Sequence, residues 1–273
     1  MTSDGRPSDW RQSEVRSRAD IPGARRIVVK VGSSSVSGAN VGQIAPLVDA
    51  LAAAHGRGSE VILVSSGAIA TGIPYLKLDG RPTDLATQQA AAAVGQNVLI
   101  SRYQVSLDRY SIVAGQILLT AGDMENPNHR SNAQRALERL LGLRILPIVN
   151  ENDTVATQEI RFGDNDRLAA MVSVLVHADV LVLLSDIDAL YTRAPREPGA
   201  QKIQTVQFGD DLSGVTFGEI GAAGVGTGGA GTKVAAAKLA AVAGIPTLLA
   251  ETGSVADALA GAELGTWFEA APG

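Results

Sequence analysis

Short apolar runs rich in β-branched residues, each opening into small or polar residues, most strongly constrain how this chain can fold. They occupy residues 27–31, 61–64, 145–149 and 179–184, with further runs at 111–120 and 245–249. Between them lie stretches of helical spacing, such as Ile44, Leu47, Val48 and Leu51. Apolar runs this short, bounded by turn formers, read as buried strands. Strand alternating with helix predicts an α/β fold, its sheet mainly parallel and covered by helices on both faces. Right-handed crossovers then carry the strands' C-terminal ends to one sheet edge, where ligands of such sheets bind. Here that edge collects Lys30-Val31-Gly32-Ser33, Ser65-Ser66-Gly67, Asn150-Glu151-Asn152-Asp153 and Ser185-Asp186.

The run at 145–149 ends in Asn150-Glu151-Asn152-Asp153, and a second knot, Gly163-Asp164-Asn165-Asp166, precedes a helix-like run at 167–176. Asp166 reads as the N-cap of that helix. Two such knots flanking residues 154–162 exceed what turn-making requires and mark a site. Elsewhere, residues 84–109 read as a long helical stretch broken near Gly95, and 130–141 as an amphipathic helix. Residues 191–215 leave the core, 221–233 form a glycine-rich loop, and a helix at 254–260 and a strand at 266–269 close the chain.

The 273 residues are 45% hydrophobic, enough for one large core, which is expected to span residues 25–273. Residues 1–24 are polar and without apolar periodicity, so they read as a flexible N-terminal tail or a partly ordered extension. A formal charge of −5 argues against nucleic-acid and membrane partners, and the lack of cysteine excludes disulfides and thiol catalysis. Neither a secretory signal nor a run of roughly 18 apolar residues is present, so a cytoplasmic location is expected. His55, His129 and His177 have no ligand spacing, and no protein-held metal is expected.

Loops of small residues at helix starts make anion sites. The chain has three, at 32–35, 65–68 and 226–232, with Lys30 beside the first and Lys233 beside the last, which together point to a polyphosphate ligand. A lysine within an apolar strand is costly unless its charge meets an anion. The last loop matches neither a P-loop nor a dinucleotide fingerprint, because the preceding strand that both require is missing. Asp153, Asp164 and Asp166 cannot all face a phosphate. Orienting the lysines, holding a substrate amino group and capping turns all remain open to them.

Several motifs, taken in order, resemble the glutamate 5-kinases of the amino acid kinase superfamily. They are Ile27-Val28-Val29-Lys30-Val31-Gly32-Ser33-Ser34, Val64-Ser65-Ser66-Gly67-Ala68-Ile69-Ala70, Val149-Asn150-Glu151-Asn152-Asp153, Gly163-Asp164-Asn165-Asp166 and Gly226-Thr227-Gly228-Gly229-Ala230-Gly231-Thr232-Lys233. Ala93-Val94-Gly95-Gln96 and Gly115-Gln116-Ile117-Leu118-Leu119-Thr120 also look like that family. The resemblance implies a three-layer αβα sandwich. It also implies ATP-dependent phosphorylation of the side-chain carboxylate of L-glutamate, the first step of proline biosynthesis. By motif position it makes Lys30, Asp166 and Lys233 catalytic, and Ser66, Asp153 and Asn165 glutamate-binding. ATP would meet Lys30, Ser185, Asp186, Thr227, Gly228, Gly229, Ala230, Gly231, Thr232 and Lys233, with Mg2+ held mainly by the nucleotide phosphates.

The family also implies feedback inhibition by L-proline, a homo-oligomer, and handover of the acyl phosphate to the next enzyme. The likeness is to the short form, without the C-terminal RNA-binding-like (PUA) domain that many bacterial members carry. Ala189 and Ala230 stand where the family usually has Gly and Met, both near the implied nucleotide site. Two alternatives are a sister kinase with another acceptor and a non-catalytic amino-acid sensor on the same fold.

Overall fold

The computed structural model describes residues 14–77, 80, 82–156, 165–215 and 229–272. After a 3-10 helix, Arg18–Gly23, come β1 (Arg26–Val31), α1 (Ser33–Val36), α2 (Ile44–Gly56) and β2 (Glu60–Val64). Next are α3 (Ala68–Gly72), α4 (Leu85–Leu107), β3 (Ala114–Leu119), α5 (Ala121–Glu125), α6 (Pro127–Gly142) and β4 (Leu146–Glu151). Then follow α7 (Asn165–Leu175), β5 (Val180–Ser185), the hairpin strands β6 (Leu190–Tyr191) and β7 (Lys202–Ile203), and β8 (Thr205–Val206). The chain closes with α8 (Ala230–Val242), β9 (Thr247–Glu251), α9 (Val255–Leu259) and β10 (Thr266–Phe268).

The central sheet has eight strands in the order β3-β4-β2-β1-β5-β9-β10-β8. Its pairs are parallel except β9 with β10. Side chains of a strand alternate between faces, and here both faces are buried. Ile27, Val29, Val31, Leu63 and Val182 join Leu47 and Leu51 of α2 and Leu99 and Tyr103 of α4 in one cluster. Val28, Ile62, Val64, Leu181 and Leu183 join Leu137 of α6, Leu168 and Val172 of α7 and Ala237 of α8 in another. Those two clusters make the three-layer αβα sandwich. They also explain why the strand sequences are apolar throughout rather than alternating.

Several boundaries differ from the sequence reading, each for a packing reason. Within the N-terminal extension, residues 14–24 pack against the domain. Ser17 and Asp20 form a capping box, Ile21 is fully buried, and the Arg18 guanidinium donates to the carbonyls of Gln204, Leu264 (2.7 Å) and Gly265 (3.4 Å). The helix expected to break at Gly95 runs unbroken as α4. Gly95 is instead the point where α3 crosses it. β4 extends two residues beyond the apolar run, so Asn150 and Glu151 are buried strand residues rather than loop. Asp166 lies inside the first turn of α7 rather than capping it.

Candidate active site

β2 departs from β1 on one side, and β5 returns on the other, so the strand order reverses between β1 and β5. The crevice beyond the C-terminal ends of those strands is the usual ligand position in an open α/β sheet. Lys30 is the penultimate residue of β1 and only 3% exposed. The chain turns at Gly32 into α1. A Cβ built on Gly32 would point at Lys30 Nζ (3.9 Å) and the Leu184 carbonyl (4.0 Å), so its absence leaves open space above the lysine.

Asp166 is the hub of the site and is completely buried. Its Oδ1 pairs with Lys30 Nζ, and its Oδ2 accepts from Lys233 Nζ at 3.1 Å. Thr232 Oγ1 also reaches Asp166 Oδ2, at 3.1 Å. Lys233, itself 5% exposed, comes from the first turn of α8, which packs against α7. Two ammonium groups from distant parts of the chain therefore converge on one carboxylate at the sheet edge. Each ammonium carries three donors, so a contact to Asp166 does not exhaust it.

Beside this hub, Asn165 Nδ2 donates to Ser66 Oγ (2.9 Å) and Asn150 Oδ1 (3.2 Å). Ser66 precedes Gly67, whose φ of 92° is open to glycine at little cost and turns the chain into α3. Ser65 is braced from below. Its N–H donates to the Val149 carbonyl, and its Oγ lies 2.9 Å from the hydroxyl of the fully buried Tyr103. Burial raises the Tyr103 pKa, and the Ser65 bond offsets only part of that, so the phenol is a neutral strut. Asp153 is half-buried in the turn after β4.

At the end of β5, Ser185 Oγ donates to Asp186 Oδ1 at 3.0 Å, with Ser185 buried and Asp186 exposed. Thr252 Oγ1 lies 3.0 Å from the Ser185 carbonyl and 2.8 Å from Ser35 Oγ, tying the ends of β5 and β9 to α1. Gly229 caps α8, and Ala230, Gly231, Thr232 and Lys233 form its first turn, where a loop was expected. Thr227, Gly228 and Asp164 lie outside the described residues. Ala189 is fully buried at the start of β6. Among the described residues, no cluster of His, Cys, Asp or Glu could hold a metal ion. No helix among them is long and apolar enough to cross a membrane.

The model of the amino acid kinase family matches residues 25–251, and so takes in β1, the hub and α8. The chain belongs to the amino acid kinase family. It is 74% identical over 252 residues to a glutamate 5-kinase of Clavibacter sepedonicus, covering 92% of this chain and 97% of that one. A glutamate 5-kinase of Leifsonia xyli subsp. xyli is 71% identical over 254 residues, covering 93% and 94%. A carbamate kinase from Giardia lamblia bound to AMP-PNP superposes with a TM-score of 0.66 over 92% of this chain and all of that one. At 13% identity, that likeness shows the fold alone.

In this amino acid kinase the structure brings Lys30, Asp166 and Lys233 into contact, and Ser66 and Asn165 beside them. Asn150 lies in one of the two knots that marked the site, but reading the sequence for site residues gave no role to the other groups that hold these in place: Gln96, Tyr103 and Thr252. Gln96 did carry a signal, since it is a polar residue on the buried stripe Ala92, Leu99, Tyr103 and Leu107 of α4. A cavity of about 410 Å³ lies at the other sheet edge, lined by His55, Tyr110, Val113, Leu143 and Arg144. It takes no part in the site.

Proposed function

We propose that the chain transfers the γ-phosphoryl group of ATP to the side-chain carboxylate of L-glutamate, giving L-glutamyl 5-phosphate at the start of proline biosynthesis. The observation that carries this reading is the buried pair of lysines held by Asp166, in a chain 74% and 71% identical to two glutamate 5-kinases. A glutamate side chain is already ionised near neutral pH. One carboxylate oxygen bonds to the γ-phosphorus as the bond from phosphorus to the β,γ-bridging oxygen breaks, and ADP leaves with that oxygen. No proton moves, so no general base is needed. Alignment and positive charge on the transferring group suffice.

Lys30 and Lys233 stabilise the charge on the phosphoryl oxygens, and Asp166 keeps both ammonium groups aimed at one point. Ser66, Asp153 and Asn165 bind glutamate. Ser185, Asp186, the residues 227–233 and the N-terminus of α8 bind ATP, whose phosphates fit the open face of Gly32. Mg2+, carried on those phosphates, would lower their negative charge. L-proline as a feedback inhibitor, a homo-oligomer, a cytoplasmic location and handover of the acyl phosphate to the next enzyme complete the reading.

The test is ADP release from MgATP with L-glutamate, hydroxylamine trapping the acyl phosphate, and L-aspartate and N-acetyl-L-glutamate in parallel. Hydroxamate from glutamate alone is expected. Product from another acceptor alone would overturn the substrate assignment, and glutamate binding without product would leave a sensor.

A further inference from the structure

The backbone N–H and C=O of one residue, Glu151, fix the polarity of the amides beside the hub. The Glu151 N–H can only donate, and it lies 2.9 Å from Asn150 Oδ1. The Glu151 carbonyl can only accept, and it lies 3.2 Å from Gln96 Nε2. With both ends pinned, the contact between them runs from Asn150 Nδ2 to Gln96 Oε1, at 3.3 Å. Gln116 Nε2 reaches the same oxygen at 3.4 Å. Asn165 must then turn its NH2 toward Asn150 Oδ1, and that NH2 also meets Ser66 Oγ. Its Oδ1 faces the other way, buried and without a hydrogen-bond partner among the described residues.

A buried carbonyl oxygen without a donor is costly, and the fold keeps this one next to Asp166. A bound ligand can supply the missing donor. A dicarboxylate substrate has only one group that can supply it at neutral pH, its ammonium. We infer that Asn165 Oδ1 reads the α-ammonium of the amino-acid substrate, and that Gln96 is a positioning residue that holds the amide chain in the polarity this requires. The assignment rests on the glutamate reading above. Gln96 is itself 7% exposed, so it acts through Asn150 rather than by touching substrate.

The test is calorimetric binding of L-glutamate and of glutarate, which lacks the ammonium, to the full chain and to Asn165→Leu and Gln96→Leu. The wild type should favour glutamate by about tenfold or more, the worth of one hydrogen bond to a charged group. Both variants should lose most of that preference, and Gln96→Leu should leave the KM for ATP unchanged. Gln96→Met, closer in shape, replaces Gln96→Leu if the latter does not fold. Equal weakening of both acids with the preference intact would overturn the inference, because Asn165 would then touch a group the two acids share. Wild-type binding of neither acid would overturn it as well. A retained binding preference without glutamate phosphorylation would instead sink the kinase reading and leave this assignment standing.

Discussion

Gly72 of α3 and Gly95 of α4 meet where the two helices cross, with no room for a side chain on either. A Cβ on Gly95 would lie 1.7 Å from the Ala68 carbonyl oxygen, and one on Gly72 would lie 1.9 Å from that of Ala91. Because α3 directly follows Ser66 and Gly67, this crossing sets the height of the Ser66-Gly67 loop above the sheet. Gly95→Ala should destabilise the protein by about 3 kcal/mol or more, since the clash is with backbone and cannot be relieved by a rotamer. Helix propensity alone predicts the opposite sign, a gain of up to about 1 kcal/mol. Gly56→Ala, at the end of α2 with nothing within 4 Å, should show that small gain. Urea unfolding of the two variants measures both signs.

Removing one lysine from the hub separates binding from chemistry. Lys30→Met should lower kcat by about 10²-fold or more, the usual cost of deleting a group that faces developing charge. Glutamate binding, which the proposed function assigns to Ser66, Asp153 and Asn165, should remain measurable by calorimetry. Turnover at the wild-type rate would show that Lys30 is structural.

Asp166→Asn should be worse for the fold than either lysine variant. It leaves two buried ammonium groups facing a neutral amide, and breaking a buried pair in this way costs about 3–5 kcal/mol. Thermal unfolding compared with that of Lys30→Met would settle the order, and equal losses would mean the hub is not shared.

Arg18 should matter although it lies outside the sheet. Its guanidinium bridges the first helical turn to the carbonyls before β8 and β10. Arg18→Ala should cost about 3 kcal/mol, since several backbone acceptors lose a charged donor in a buried place. Hydrogen exchange should speed up in β8 and β10 before the rest of the sheet.

His55 gives the stability a slope at mildly acidic pH. Burial lowers its pKa, the Arg144 charge lowers it further, and the bond to the Arg144 carbonyl opposes both. The unfolded chain therefore binds more protons just below the ordinary histidine value of about 6.5. The contribution of neutral His55 is complete above that value and is lost as pH falls through the folded one. His55→Gln should lose less stability than the wild type between about pH 7.5 and 5.5, a window that brackets the histidine value. The lowered pKa values of Asp20, Asp84, Asp123, Asp188 and Asp211 act below the ordinary carboxyl value of 3.8, so they do not blur that window.

The sequence by itself determined most of the order of strands and helices and which loops share a sheet edge, but not β8, which joins the central sheet from residues expected to leave the core. It also put Lys30 at the end of an apolar strand. Periodicity reports local conformation and burial, and both are written in neighbouring residues. Only the tertiary structure decided that Lys30 and Lys233 share one carboxylate, because that contact depends on how α7 and α8 pack across the sheet. Packing also turned Gly95 from an expected helix break into a crossing point, where what matters is the distance to Ala68 rather than propensity. The polarity of Gln96, Asn150 and Asn165 was equally out of reach, since it follows from hydrogen bonds to the backbone of one residue, Glu151, that only the folded chain assembles.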